Sequence, residues 1–265
     1  MRDNNNRIQL SGFNNLTKTL SFNIYDLSFL RSVTEIDALT GYINDQYSST
    51  RLTGILQDVA RIIGANVLNV ATADYEPSGA STTLLISEET PALAGVTNQQ
   101  TPGPLPEAVV AHLDKSHLTA HTYPENHPGV GANILRTDID VSTCGMISPL
   151  KALNYLIHSF SSDVVVLDYR VRGFTRSECG KKLFMDHDIN SIQSYIDATT
   201  LADYHSQDCN LRDENIFHTK MLRRAFRTGD YLLDGADVEL SAAEQSRIDE
   251  LIRGELDGIY RSFSN

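Results

Sequence analysis

Polar and apolar positions repeat along this chain at two periods, and the switches between them mark its elements. Residues 20–26 alternate at period two, with Leu20, Phe22 and Ile24 on one side, and predict a strand. Residues 51–63 shift to the helical period: Leu52, Ile55, Leu56, Val59, Ile62 and Ile63 form one stripe, and Gly64 follows as a stop. Two strands are predicted at 67–73 and 81–87, joined by a turn at Glu76-Pro77-Ser78-Gly79. Four prolines, Pro91, Pro102, Pro104 and Pro106, break any ladder or helix between 88 and 106, so this stretch reads as a loop. A loop of that length is usually functional or disordered.

Residues 116–123 predict a strand with Ser116, Leu118, Ala120 and Thr122 on one face and His117, Thr119, His121 and Tyr123 on the other. Another strand is expected at 134–141. Ser148 and Pro149 open a helix as cap and first helical residue, with Leu150, Leu153, Leu156, Ile157 and Phe160 turned inward. The unbroken apolar run from Val164 to Leu167 suits a buried strand within 163–171. Residues 188–196 predict a short helix burying Ile189, Ile192 and Ile196. Ser241 and Glu244 form a capping box for a last helix over 241–263, with Ile248, Leu251, Ile252, Leu256 and Ile259 as its apolar face. The Asn-rich residues 1–15 are expected to be loosely docked. No solenoid-length repeat is present. The mixture gives an α/β fold of the α+β type, helices packed on a mainly antiparallel sheet, in one domain over residues 1–265.

Composition narrows the partners. A net charge of −12 makes nucleic acid a poor ligand and gives mild attraction for a cationic small molecule. No apolar run approaches the roughly 20 residues of a membrane span, and the opening residues lack the apolar stretch of a signal peptide. Cys144, Cys179 and Cys209 are odd in number and show no CxxC spacing, which argues for a reducing, cytoplasmic setting.

The tripeptide Lys115-Ser116-His117 by itself marks nothing. Its surroundings do. Ser116-His117-Leu118-Thr119-Ala120-His121-Thr122-Tyr123-Pro124-Glu125, followed by Val141-Ser142-Thr143-Cys144-Gly145, resembles the bacterial S-adenosylmethionine decarboxylase proenzymes, and the longer, enterobacterial-type branch most of all. Residues 64–69, 74–81, 147–157, 168–176 and 214–220 continue the likeness, which runs from about residue 12 to about residue 260.

That resemblance implies an α/β/β/α sandwich of mainly antiparallel sheets with helices outside. It implies self-cleavage between Lys115 and Ser116, leaving a β chain of residues 1–115 and an α chain of 116–265 that begins with a pyruvoyl group made from Ser116. The serine supplies both a nucleophile for an acyl shift and an oxygen that can leave by β-elimination. The ketone would form a Schiff base with an amine substrate and act as the electron sink that pyridoxal phosphate provides elsewhere. The implied substrate is S-adenosylmethionine and the product the aminopropyl donor for spermidine.

By the same resemblance, His121 is the base in processing and Ser81 assists it near the scissile carbonyl. Cys144 is the proton donor in decarboxylation, a role that needs the thiol form. Tyr75 and Tyr25 would stack on the two faces of adenine, each contact worth about 1–3 kcal/mol. Glu125 would grip the ribose hydroxyls, and Asp26 is a further site acid. A regular strand sets Ser116 and His121 on opposite faces, so a turn or bulge is expected at the cleavage site. The family further implies Mg2+ dependence, without a legible ligand set, and a homo-oligomer of αβ pairs.

Each of these side chains also has an ordinary reading: a strand serine, a structural histidine, a small buried cysteine. His112, His117, His121 and His127 invite a zinc site, but their spacings are not the tight pairs of structural sites. Three rival functions stay open: pyruvoyl chemistry on ornithine or arginine, an uncleaved non-catalytic partner subunit, and a hydrolase using Cys144 and His121.

Overall fold

The computed structural model describes residues 10–88, 116–125, 129–160, 162–233 and 240–261. Lys115, His112, His127 and nearly all of the 88–106 loop lie outside the described residues.

The organising element is β2 (Thr17–Leu30), a 14-residue strand whose burial alternates along most of its length. It pairs antiparallel with β6 (Gly131–Cys144) on one side and with β7 (Val164–Arg172) on the other. Around it stand β3 (Ala65–Asp74), β4 (Ala80–Glu88), β5 (His117–Pro124), β10 (Tyr204–Asp208) and β11 (Ile216–Arg223). The order across this eight-stranded sheet is β10-β11-β7-β2-β6-β5-β4-β3. A small sheet joins β1 (Leu10–Asn14) to β8 (Thr175–Ser177) and β9 (Lys182–Leu183).

One face of the large sheet is apolar. Leu20, Phe22, Ile24, Leu84, Leu118, Val141, Leu167 and Phe217 pack there in a continuous core. The core is closed by α1 (Ile36–Gln46), α2 (Ser49–Ile63) and α3 (Leu153–Phe160), through residues such as Leu52, Leu56 and Leu153. Helix α2 starts at Ser48, whose hydroxyl accepts the Arg51 N–H, and stops at Gly64, where φ of 81° suits glycine. A short α4 (Ala198–Asp203) precedes β10.

Among the described residues the opposite face is covered at one end. There α5 (Ala242–Arg261) lays Ile248, Ile252, Leu256 and Tyr260 over Leu27, Phe29, Val164 and Val166. Helices therefore pack on both sides of the sheet. The α+β class holds, and every ladder in both sheets is antiparallel. Among the described residues one chain supplies a single large sheet and a small three-stranded one, so the expected α/β/β/α stack of two large sheets is not formed within one chain.

Several expectations are corrected. The 188–196 stretch forms only a 3-10 turn over Ile192–Tyr195, although Ile189, Ile192 and Ile196 are buried as expected. The helix after Ser148 begins as a 3-10 turn, Pro149–Ala152, and the serine side chain does not cap it. Leu251 and Ile62 are exposed rather than inward. Residues 10–14 are docked as β1, not loose. Asn15 Oδ1 accepts the Phe174 N–H at 2.8 Å, and Gly173, at φ 85°, sits where a Cβ would meet the Asn15 carbonyl oxygen at 2.4 Å.

Candidate active site

At the start of β5, Ser116 is 8% exposed and belongs to the helix-covered face. Its Oγ accepts the Cys144 N–H at 3.1 Å, and its carbonyl accepts the Ile86 N–H at 2.9 Å. The Thr143 hydroxyl, bonded to the carbonyls of Lys18 and Ile147, and the Gly145 N–H, bonded to the Leu16 carbonyl, hold the turn that carries this amide. Ser116 and Cys144 thus meet through the cysteine backbone. Alternation along β6 sends the Cys144 side chain toward the other face, and it is exposed.

His121 lies on that other face. The register sets it between Ser81 of β4 and Asp138 of β6. Burial raises the Asp138 carboxyl, against the pull of Arg136, whose guanidinium lies 3.2 Å away. Arg136 also stacks on Tyr123 at 4.4 Å and is paired across the ladder with Tyr25. Asp138 Oδ1 and Arg136 Nε are buried without a hydrogen-bond partner among the described residues. Sequence reading put Tyr123 on the face of His121 but missed Asp138 and Arg136 as its neighbours. The signal was present in 134–141, where alternation puts Arg136, Asp138 and Asp140 on one polar face.

The turn or bulge expected at the cleavage site involves Lys115 and lies at the edge of the described residues; none occurs further along the strand. β5 keeps an unbroken register with β6 from His117 to Pro124. Five residues of strand put His121 about 17 Å from Ser116, on the opposite face. In one chain the two do not meet.

A cavity of about 430 Å³ opens at the far end of β5 and gathers Tyr75, Glu125 and Asp26 with Tyr42, Tyr123 and Asn133. Burial raises the Glu125 carboxyl. Tyr25 does not line this cavity; it stands in the row of Arg136 and Tyr123, so Tyr25 and Tyr75 do not clamp one base within a chain. The cavity's lining on this segment begins at Thr122, six strand residues from Ser116, about 20 Å.

Asp26 has two neighbours that sequence could not supply. Its Oδ2 accepts the hydroxyls of Tyr42 at 2.9 Å and Tyr47 at 2.8 Å. Beside it, Asp163 accepts the Leu27 N–H at 3.0 Å and the Tyr231 hydroxyl at 3.1 Å, with Arg223 at 4.0 Å. Burial first, then the nearby Asp26 charge, pushes Asp163 up to about 6 from 3.8. The folded chain therefore binds this proton more tightly than the unfolded chain, and stability falls as pH rises from about 4 to about 6. The full cost, on the order of 3 kcal/mol, is present only above that window. Asp163→Asn, which can accept from Leu27 and donate to Tyr231, is expected to be more stable than wild type at pH 8 by up to that amount. The gain should vanish below pH 4 in denaturant melts; an equal gain at both pH values would refute the assignment.

Among the described residues no three His, Cys, Asp or Glu side chains converge to hold a metal ion. His117 and His121 share a face but are separated by four strand residues, about 13 Å, too far to share one ion.

Residues 42–173 match the family described as S-adenosylmethionine decarboxylase. The proteins named S-adenosylmethionine decarboxylase proenzyme from Alkalilimnicola ehrlichii, Photorhabdus laumondii and Marinobacter nauticus are 55%, 52% and 54% identical to this chain. The alignments cover 98%, 96% and 97% of this chain and 96%, 96% and 97% of those proteins, in the same order. This chain belongs to the S-adenosylmethionine decarboxylase family. The family match ends at 173, yet the similarity to these three relatives runs over nearly the whole chain, so β8 to β11 and α5 belong to their common pattern. No described helix is long and apolar enough to cross a membrane.

Proposed function

We propose that this decarboxylase acts on S-adenosylmethionine, yielding S-adenosylmethioninamine, after cleaving itself between Lys115 and Ser116. The observation that carries the reading is the Ser116 hydroxyl, held by the Cys144 amide at the entry to a central strand. A buried N–H donor on Oγ orients the hydroxyl for addition to the neighbouring carbonyl, which turns the amide into an ester. A base then removes the α proton of residue 116, and the Lys115 carboxylate leaves. His121, flanked by Asp138 and Ser81, is equipped for that proton. Elimination leaves a dehydroalanine at residue 116, which adds one water and releases ammonia to become the pyruvoyl group, the electron sink for decarboxylation.

The residues around it have separate tasks. Cys144 returns the proton to the substrate carbon. Tyr75 and Tyr123 offer aromatic surface in the cavity, and Glu125 offers a carboxylate for hydroxyls. The cavity and His121 lie far along the strand from Ser116, so we infer a homo-oligomer of αβ pairs in which a second copy brings its polar sheet face to the Ser116 end. Unpartnered buried atoms on Asp138 and Arg136 favour a partner on that face. Cleavage leaves the sheet whole. β2 from the first segment is inserted between β6 and β7 of the second, so the two chains cannot part without tearing it. The described residues offer magnesium no ready ligand set, and no step is assigned to it. Low cysteine use supports a cytoplasmic site of action.

The reading is tested by denaturing mass spectrometry with carboxyl-labelled S-adenosylmethionine. Two chains are expected, near residues 1–115 and 116–265, with labelled CO₂ released and activity lost on borohydride reduction in the presence of substrate. CO₂ release from ornithine or arginine instead would move the substrate to the alternative reading.

A further inference from the structure

The register carries Ser116 into a row that the family resemblance does not explain. His117 pairs with Ser142, which sets Ser116 beside Thr143; Thr143 pairs with Lys18, and Lys18 with Val171. The side chains of Ser116, Thr143, Lys18 and Val171 are buried, Lys18 completely so. Two strand spacings, about 10 Å, separate the Lys18 backbone from that of Ser116. A buried ammonium needs a counter-charge. Lys18 Nζ bonds Asp186 Oδ2, and Asp186 Oδ1 bonds His187 Nδ1 at 2.6 Å. Burial works against the Asp186 carboxylate, but His187 and Lys18 outweigh it and hold it at about 2. Asp186 is otherwise far away in sequence, in a segment anchored by Ile189 and Ile192 in the core. Beside it, Tyr169 Oη and His187 Nε2 are buried with no partner among the described residues. The cluster lies on the same covered face as Ser116; Lys18 is completely buried, while the Asp186 and His187 side chains keep 15% and 18% exposure.

We propose that the Lys18–Asp186 pair is a latch that keeps the Ser116 row dry while the chain cleaves. This rests on cleavage at Ser116. The ester formed there has two fates. Elimination breaks the Ser116 Cβ–O bond, releases the Lys115 carboxylate and leads to the ketone. Attack by water on the ester carbonyl releases the same carboxylate but leaves Ser116 as a plain amino-terminal serine, which cannot become an electron sink. Excluding water directs the ester to elimination. Lys18 and Asp186 are positioning residues, since they hold the cover and touch no reacting atom.

The experiment expresses wild type, Lys18→Met and Asp186→Asn in ¹⁸O-water pulses and reads the cut chains by mass under denaturing conditions. Elimination puts no oxygen from water into the new carboxyl end at Lys115; hydrolysis puts in one. Serine-ended α chains are also heavier than ketone-ended ones by one ammonia. Wild type is expected to be almost wholly ketone-ended and unlabelled. Both variants are expected to raise the labelled, serine-ended fraction at least tenfold, with decarboxylation falling in proportion to the ketone-ended fraction. Reading only cut chains makes the result independent of yield. Variants that cut with the wild-type partition, or that give no cut chains at all, would overturn the latch. A wild type that is not cut would instead overturn the cleavage reading itself.

Discussion

Ser116→Ala should remain a single chain and should release CO₂ from S-adenosylmethionine below about 10⁻⁴ of the wild-type rate. Alanine has no oxygen to add to the Lys115 carbonyl and none to eliminate, so neither the ester nor the ketone can form. Without the ketone the remaining side chains can bind substrate but offer no sink for the electrons left by CO₂. The fold should tolerate the change. Ser116 loses one hydrogen bond, from the Cys144 N–H, worth about 1 kcal/mol, and the apolar face it joins accepts a methyl group. Denaturing electrophoresis and a thermal melt check both halves of the expectation. Normal fragments from Ser116→Ala would mean that the bond cut lies elsewhere.

The second large effect concerns copies of the chain. Ser116→Ala and His121→Ala should each stay uncut when expressed alone. Expressed together, they should yield cut His121→Ala chains, because the intact Ser116 of one copy would meet the intact His121 of the other. In a two-fold assembly with random mixing, roughly half of the His121→Ala chains would be cut. The physical ground is the unbroken β5 register, which keeps Ser116 and His121 about 17 Å apart on opposite faces in a single chain. Absence of cutting in the mixture, with both chains soluble and associated, would return the site to one chain and require a large rearrangement of β5 before cleavage.

How much was legible beforehand follows from the range of each interaction. The α2 stripe, its Gly64 stop and the Ser241–Glu244 box are readable because their partners lie within a few residues, and the box closes as expected: Ser241 Oγ accepts the Glu244 N–H at 3.3 Å and Glu244 Oε2 accepts the Ser241 N–H at 3.1 Å. The alternation in 116–123 already separated Ser116 from His121. The bulge expected to reunite them was an argument from function, and the ladder from His117 to Pro124 contains none. β1 was misjudged because its ladder among the described residues is to a strand more than 160 residues later. The 188–196 stretch was misjudged because burying three isoleucines does not require a helix when a turn places them equally well.

For the site, the chain's motifs named Ser116, His121, Cys144, Tyr75 and Glu125, but nothing local says which of them meet. Residue order and the period of apolar positions determined by themselves the class of fold, the place of most of its elements, and the face each β5 side chain takes, since these depend on neighbours within one turn or one pleat. Only the tertiary structure decided that Asp138 stands beside His121, that Asp26 is held by Tyr42 and Tyr47, and that Lys18 reaches Asp186. Asp138 meets His121 across the β5–β6 ladder, Tyr42 and Tyr47 reach Asp26 from α1 and the turn after it, and Asp186 reaches Lys18 from a loop; such contacts are set by how the two faces bury their side chains as a whole.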